Sequence, residues 1–235
     1  MKRKIGVLGW MVAFGVVIGW VAPAGAAVSD IVCGRLANGY GPYDYRSDKK
    51  ELPVVEFHHL TAPVLNLVSG QTGVYPGGDL DYTLRAFPNH PAALMAMIRY
   101  GEKTRSDRPK GARYSVECYL YRAWRFRDDD PTVRMIYAAY LAKHGRGEEA
   151  LKHLEDAHTM GEDSANFDYN IGLVYFDLKD YKKSLFHAHQ AYMKGFPLPG
   201  LRDKLKRVGK WTEPVKMDAV EKLDEPPVRE VQAGK

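Results

Sequence analysis

Catalytic signatures are the first thing this sequence lacks. It contains no Gly-x-Ser-x-Gly elbow, no phosphate-binding loop and no Cys-x-x-Cys pair, so nucleophilic, nucleotide and thiol-redox chemistry have no residues to rest on. Gly70-Gln71-Thr72-Gly73 and Gly77-Gly78 are glycine-rich, but no strand feeds a helix there to cradle a phosphate. Acidic pairs abound without a pattern that sets two carboxylates across a cleft. A strong charge of one sign is also missing. The 235 residues carry 34 basic and 29 acidic side chains, a formal +5, and three of the basic ones belong to the leading segment discussed below. Without them 31 basic face 29 acidic residues, and nothing calls for nucleic acid. Arg125-Phe126-Arg127 is a small basic-aromatic patch, but Asp128, Asp129 and Asp130 follow at once. No catalytic activity and no cofactor is implied.

Long apolar runs are confined to one place. Met1-Lys2-Arg3-Lys4 precedes an uncharged stretch from Ile5 to Val21, followed by Pro23 and the small residues Ala24-Gly25-Ala26. This pattern predicts a secretory signal over residues 1–26, cut after Ala26 or Ala27. An uncleaved anchor, and with it a membrane attachment, is the alternative, although 17 apolar residues sit at the short edge of a spanning helix. Cysteine is scarce too: Cys33 and Cys118 are the only two. Export would place them in an oxidising periplasm, where they form either one disulfide or two separate thiols.

What is there instead is a period. Ala138, Gly145, Ala150, Leu154 and Ala157 recur 34 residues later as Gly172, Lys179, Ser184, Ala188 and Ala191. The clearest unit is a helical hairpin over Pro131–Met160. Asp130 is placed to cap it, Pro131 stands at the first helical position, and Gly145 and Gly147 make the turn. Small residues at 138, 172, 157 and 191 let neighbouring helices approach closely.

With Gly172-x-x-Tyr175, Tyr181 and Ala191, and with Pro88 closing an upstream unit, the chain resembles the tetratricopeptide repeat (TPR) family. The resemblance covers about 150 of the 235 residues. The arm motifs Cys33-Gly34 and Gly41-Pro42-Tyr43-Asp44-Tyr45-Arg46 are also similar to those of exported bacterial TPR proteins. The resemblance implies an all-α fold, a right-handed superhelix of about three to four helical hairpins. The expected organisation is an irregular arm over 28–55 and units at about 57–89, 90–130, 131–164 and 165–198. A capping helix at 199–210 and a disordered tail at 211–235 complete it. The arm is expected to pack along the first helices. Aligning Ala96 with Ala138 inserts eight residues into the second unit, within the charged surface segment 102–112.

The resemblance also implies a function: an exported, non-catalytic scaffold holding a protein or peptide in its concave groove, within an envelope assembly, secretion or transport complex. The groove is expected to present His90, Met97 and Tyr100, then Thr132, Met135, Ala139 and Lys143, then Asn166, Tyr169, Leu173 and Phe176. The other reading is a small-ligand or metal-binding protein built on Tyr43, Asp44, Arg46, His58 and His59. Glu56-x-His58-His59 is the best metal-like cluster, with Asp79, Asp81 or His90 nearby. Adjacent histidines on a helix point about 100° apart, which is poor geometry for one ion. The partner's identity and the oligomeric state are not legible.

Overall fold

A computed structural model describes residues 30–161 and 164–214; the expected signal segment and most of the expected tail lie outside these residues. The described chain is all-helical, with eleven helices. Leading elements are α1 (Asp30–Cys33), α2 (Leu52–His59), α3 (Ala62–Leu65) and α4 (Pro76–Ala86). The pair α5 (Pro91–Thr104) and α6 (Val116–Phe126) follows. Two hairpins come next, α7 (Pro131–Lys143) with α8 (Gly147–Thr159) and α9 (Ala165–Asp177) with α10 (Tyr181–Met193), before a last helix, α11 (Gly200–Arg207).

The 34-residue period is visible bond by bond in the two hairpins. Asp130 caps α7 by accepting from the Thr132 and Val133 amides at 3.0 and 3.3 Å, and Ser164 caps α9 through the Phe167 amide at 3.2 Å. Each first helix ends in a left-handed residue, Gly145 at φ 74° and Lys179 at φ 63°. Each turn is closed by the same bond, Arg146 N–H to the Leu141 carbonyl and Asp180 N–H to the Tyr175 carbonyl, both 3.0 Å. The second helices bury the same stripe: Ala150, Leu154 and Ala157 in α8, and Ser184, Ala188 and Ala191 in α10, all 0% exposed. Ser184 donates its hydroxyl to the Gly172 carbonyl at 2.9 Å. A Cβ on Gly172 would stand 2.6 Å from Leu201 Cδ2, so even alanine there would make the Leu201 side chain of α11 shift.

The upstream pair follows the design with one change. Leu120 and Ala123 of α6 are buried 34 residues before Leu154 and Ala157, as expected. The start of α5 corrects the expected eight-residue insertion. His90 caps α5 and Pro91 opens it, just as Asp130 and Pro131 do for α7, so the two helices are offset by 40 and the insertion is six residues. The inserted segment is not a free surface loop either. Ala112 is buried, and a Cβ on Gly77 of α4 would stand 2.2 Å from the Lys110 carbonyl oxygen, so the segment packs back on α4 through a glycine.

The leading arm packs across α4, α6 and the two loops that end them. Cys33 and Cys118 form a disulfide, with Cα atoms 5.0 Å apart. Arg122 Nη1 donates to the carbonyls of Cys33, Gly34 and Arg35 at 3.1, 3.2 and 2.8 Å. Tyr43 N–H donates to the Ala86 carbonyl at 2.8 Å, and Leu52, Val55, Ala86 and Phe87 form a small second core with Tyr40, Tyr43, Tyr45 and Tyr82. The fully buried Asn89 joins arm to stack: it donates to Asp44 at 2.7 Å and to the α7 cap Asp130 at 3.0 Å, and accepts from the Tyr45 amide at 2.9 Å.

Candidate partner-binding face

The outward side of α5, α7 and α9 is built from residues spaced by helical turns. Correcting the α5 offset to 40 sets Met95, Arg99 and Lys103 in register with Met135, Ala139 and Lys143, and the 34-residue period carries the first two of these on to Tyr169 and Leu173. Met95 is 40% exposed, Arg99, Lys103, Lys143 and Asn166 are exposed, and Met135, Ala139 and Asn170 are half-buried. Cations on this face are already tethered. Arg99 donates to the Leu65 carbonyl at 3.2 Å, Lys103 to the Leu67 carbonyl at 2.8 Å, and Lys143 pairs with Glu102 at 3.2 Å. Asn170 donates to the Asn166 carbonyl at 2.8 Å, and the exposed Asn166 side chain carries an amide of the kind that holds a peptide backbone.

Three of the residues expected on the groove do not lie on any surface. Met97 and Tyr100 are 1% and 5% exposed and belong to the main core. His90 is 1% exposed; its Nδ1 accepts from the Ala93 amide at 3.4 Å, and its Nε2 lies 3.1 Å from Glu56. Burial pushes this imidazole below its ordinary value, against the opposing pull of Glu56. The physical reason is the two-residue slip in alignment: two residues turn a helix by about 200°, which exchanges its buried and outward sides. The signal that places Met95, Arg99 and Lys103 correctly was the repeated cap-proline pair, His90-Pro91 and Asp130-Pro131.

Tyr169, Leu173 and Phe176 form a third group. They are half-buried under the C-terminal cap, packed with Leu185, Leu201 and Leu205. The Tyr169 ring stacks on Phe196 at 4.1 Å, and Lys204 Nζ lies 5.0 Å from the centre of the Phe176 ring. At this end the face is occupied by the protein's own chain. The open stretch therefore runs over α5, α7 and the first turns of α9. Among the described residues the arm's bonds fall on α4, α6 and their loops, and the segment at Leu65–Leu67 meets the α5 end of the face through Arg99 and Lys103.

The arm and first unit hold their polar groups in closed sets. Asp44 is 5% exposed and binds Arg46, Asn89 and Arg127. Arg46 continues to Asp129 at 3.0 Å, and Tyr43 is tilted against Phe87 at 5.5 Å. Burial alone would raise the Asp44 carboxyl. Hydrogen bonds from the Arg46 amide, Asn89 and the two guanidinium groups outweigh burial and hold it well below the usual carboxylate range. Asp79, 0% exposed, accepts from Gln71 N–H and Thr72 Oγ1 at 2.8 and 2.6 Å and lies 2.9 Å from His59 Nδ1. The Gly70–Gly73 segment is thus a clamp on Asp79. The metal-like residues are dispersed: Glu56 meets His90, His59 meets Asp79, and His58 meets the Phe57 ring edge. Among the described residues no group of three His, Cys, Asp or Glu is gathered as a metal site.

Comparison of the chain with protein-family models, curated proteins and solved structures gives no match. The class defined by the structure itself is an all-helical stack of hairpins with one disulfide. The disulfide is compatible with an oxidising compartment, and among the described residues no helix is long and apolar enough to cross a membrane.

Proposed function

We propose that the chain is an exported tetratricopeptide-type scaffold, without chemistry of its own, that holds a protein or peptide partner on the face of α5, α7 and α9. The observation that carries this reading is the 34-residue recurrence of a complete local design: cap, left-handed turn, closing bond and buried small-residue stripe. Stacked hairpins of this kind present an extended inner surface, and their usual use is to grip another chain. Methionines give adaptable apolar contact there, and the exposed Asn166 supplies an amide for a peptide backbone. Export is supported by the disulfide, which persists in oxidising compartments, together with the signal-like leading sequence.

The test is a set of charge and size changes confined to the open stretch. Met95→Glu, Met135→Glu and Asn166→Ala are expected to abolish partner co-purification from the envelope fraction while leaving the helical content intact. Partner retention by the triple variant would remove this face from the account.

A further inference from the structure

The junction between α6 and α8 and the junction between α8 and α10 are one design made twice, 34 residues apart. In the downstream copy the rings of His158 and His187 meet edge to face at 5.2 Å and 85°. His187 Nδ1 lies 3.0 Å from one oxygen of Asp168, and Lys194 Nζ reaches the other at 2.7 Å. Imidazole, carboxylate and ammonium form one connected set.

In the upstream copy Trp124 stands for His158 and His153 for His187, and their rings meet at 5.5 Å and 90°. Asp168, however, is replaced by Arg134. A guanidinium has no acceptor to offer a histidine; Arg134 lies over the Trp124 ring, its guanidinium carbon 5.6 Å from the ring centre, and spends its donors on Asp156 and the Asp128 carbonyl. His153 Nδ1 and Trp124 Nε1 are both buried, and neither has a hydrogen-bond partner among the described residues. Between the helices lies a cleft of about 380 Å³ walled by Tyr121, Trp124, Tyr137 and His153, with Arg134 and the Arg146-bound Glu149 carboxylate also on its lining. Lys152 stands at its rim, exposed and in no ion pair among the described residues. Arg146 also borders the cleft, but Glu117 and Glu149 already hold it.

We propose that this cleft binds a carboxylate carried on a flat apolar body, with the ligand's carboxylate supplying the acceptor that Asp168 supplies in the downstream copy. Chemistry narrows the choice. An indole N–H only donates, so it needs an acceptor. Burial, reinforced by Arg134, pushes His153 down to about 4, so its ring is neutral near pH 7 and can offer Nδ1–H. Arg134, Arg146 and Lys152 all border the cleft; the two arginines already hold carboxylates, so Lys152 supplies the charge for the ligand, and a small turn of the His153 ring would bring its donor to it. The aromatic walls favour a planar body of matching size. Two sources share this chemistry, a free aromatic acid and the C-terminal residue of a peptide. This site lies apart from the α5–α7–α9 face and does not rest on that reading.

The experiment is calorimetric titration of the full chain with phenylacetate, N-acetylphenylalanine and N-acetylphenylalaninamide. At least one acid is expected to bind, with the amide weaker by about tenfold or more, the scale of a lost charged hydrogen bond. Binding by phenylacetate assigns the free acid as the source; binding by N-acetylphenylalanine alone assigns the peptide end. Arg134→Asp with Asp156→Gln sets a carboxylate of the chain's own beside His153, as Asp168 stands beside His187, and is expected to abolish binding while leaving the helical content intact. Lys152→Ala, on the exposed rim, is expected to weaken binding severalfold and decides the matter if the double variant fails to fold. No binding by either acid at millimolar concentration, equal binding of acid and amide, or full affinity in Lys152→Ala would overturn the proposal.

Discussion

Cys118 and Arg122 stand one helical turn apart on α6 and hold the same point of the leading arm. Cys118 is bonded to Cys33, and the Arg122 guanidinium takes the carbonyls of Cys33, Gly34 and Arg35. Arg122 is 2% exposed, with the Tyr114 ring 4.7 Å from its guanidinium carbon. The arm is thus tied down by a covalent bond and by a buried cation acting on backbone, and the two are separable by mutation.

Cys33→Ser with Cys118→Ser opens a loop whose ends are 85 residues apart and is expected to cost about 2–4 kcal/mol. Arg122→Ala leaves three carbonyls without their donor and is expected to cost about 3 kcal/mol. Because both act on one segment, the combined variant should lose less than the two losses added. Urea denaturation of the four proteins checks this, and full additivity would contradict a shared anchor.

Acid should loosen the arm. The Asp44 carboxyl is held below its ordinary value in the folded chain, so it binds its proton less readily folded than unfolded. Its contribution is therefore present above about pH 4, the unfolded carboxyl value, and is lost as the pH falls below that. Asp79 follows the same sign: burial would raise it, and Thr72, His59 and the Gln71 amide outweigh burial. Asp44→Asn is expected to lower the thermal midpoint at pH 7 and to flatten its decline between about pH 4 and pH 2. An unchanged slope would show that the arm's carboxylate takes no part in acid unfolding.

Lys179 occupies the left-handed turn position that Gly145 fills one unit earlier, at φ 63° against 74°. A side chain in this conformation costs about 1 kcal/mol or more. Lys179→Gly relieves that strain but frees the unfolded chain, so a net gain of about 0.5 kcal/mol is expected. Gly145→Ala should lose about 1 kcal/mol. Opposite signs in chemical denaturation are the expected result.

Residues of α9 divide into two kinds. Tyr169 sits under the cap, stacked on Phe196, and Tyr169→Ala is expected to cost about 3 kcal/mol. Asn166 is exposed, and Asn166→Ala should change stability by less than about 0.5 kcal/mol. If Tyr169→Ala leaves the midpoint unmoved, the cap does not depend on this contact.

The hairpins were legible because their information is local. Caps, proline at the first helical position, the turn glycine and the small-residue stripe all act within a few residues of themselves, and Pro131–Met160 reads correctly from them alone. The pairing of Cys33 with Cys118 followed from compartment chemistry as one of two outcomes. Facing of α5 was misread because Ala96, Met97 and Ile98 are all buried; a helix apolar on so many sides gives no sharp period to align, and only its cap fixes the register. Bonds such as Asn89 to Asp44 and Gln71 to Asp79 join residues by tertiary packing, without any periodic mark. Under the cap, Tyr169, Leu173 and Phe176 read as a groove because the sequence shows an apolar face without showing what covers it.

The most direct measurement is site-specific photocrosslinking in cells, with the probe placed singly at Met95, Met135 and Asn166 and, on the other side of the stack, at Glu155 and Lys182. The account predicts one common crosslinked species from the three positions on α5, α7 and α9 and none from the two controls. The same species from the controls, or no species from the three, would contradict it.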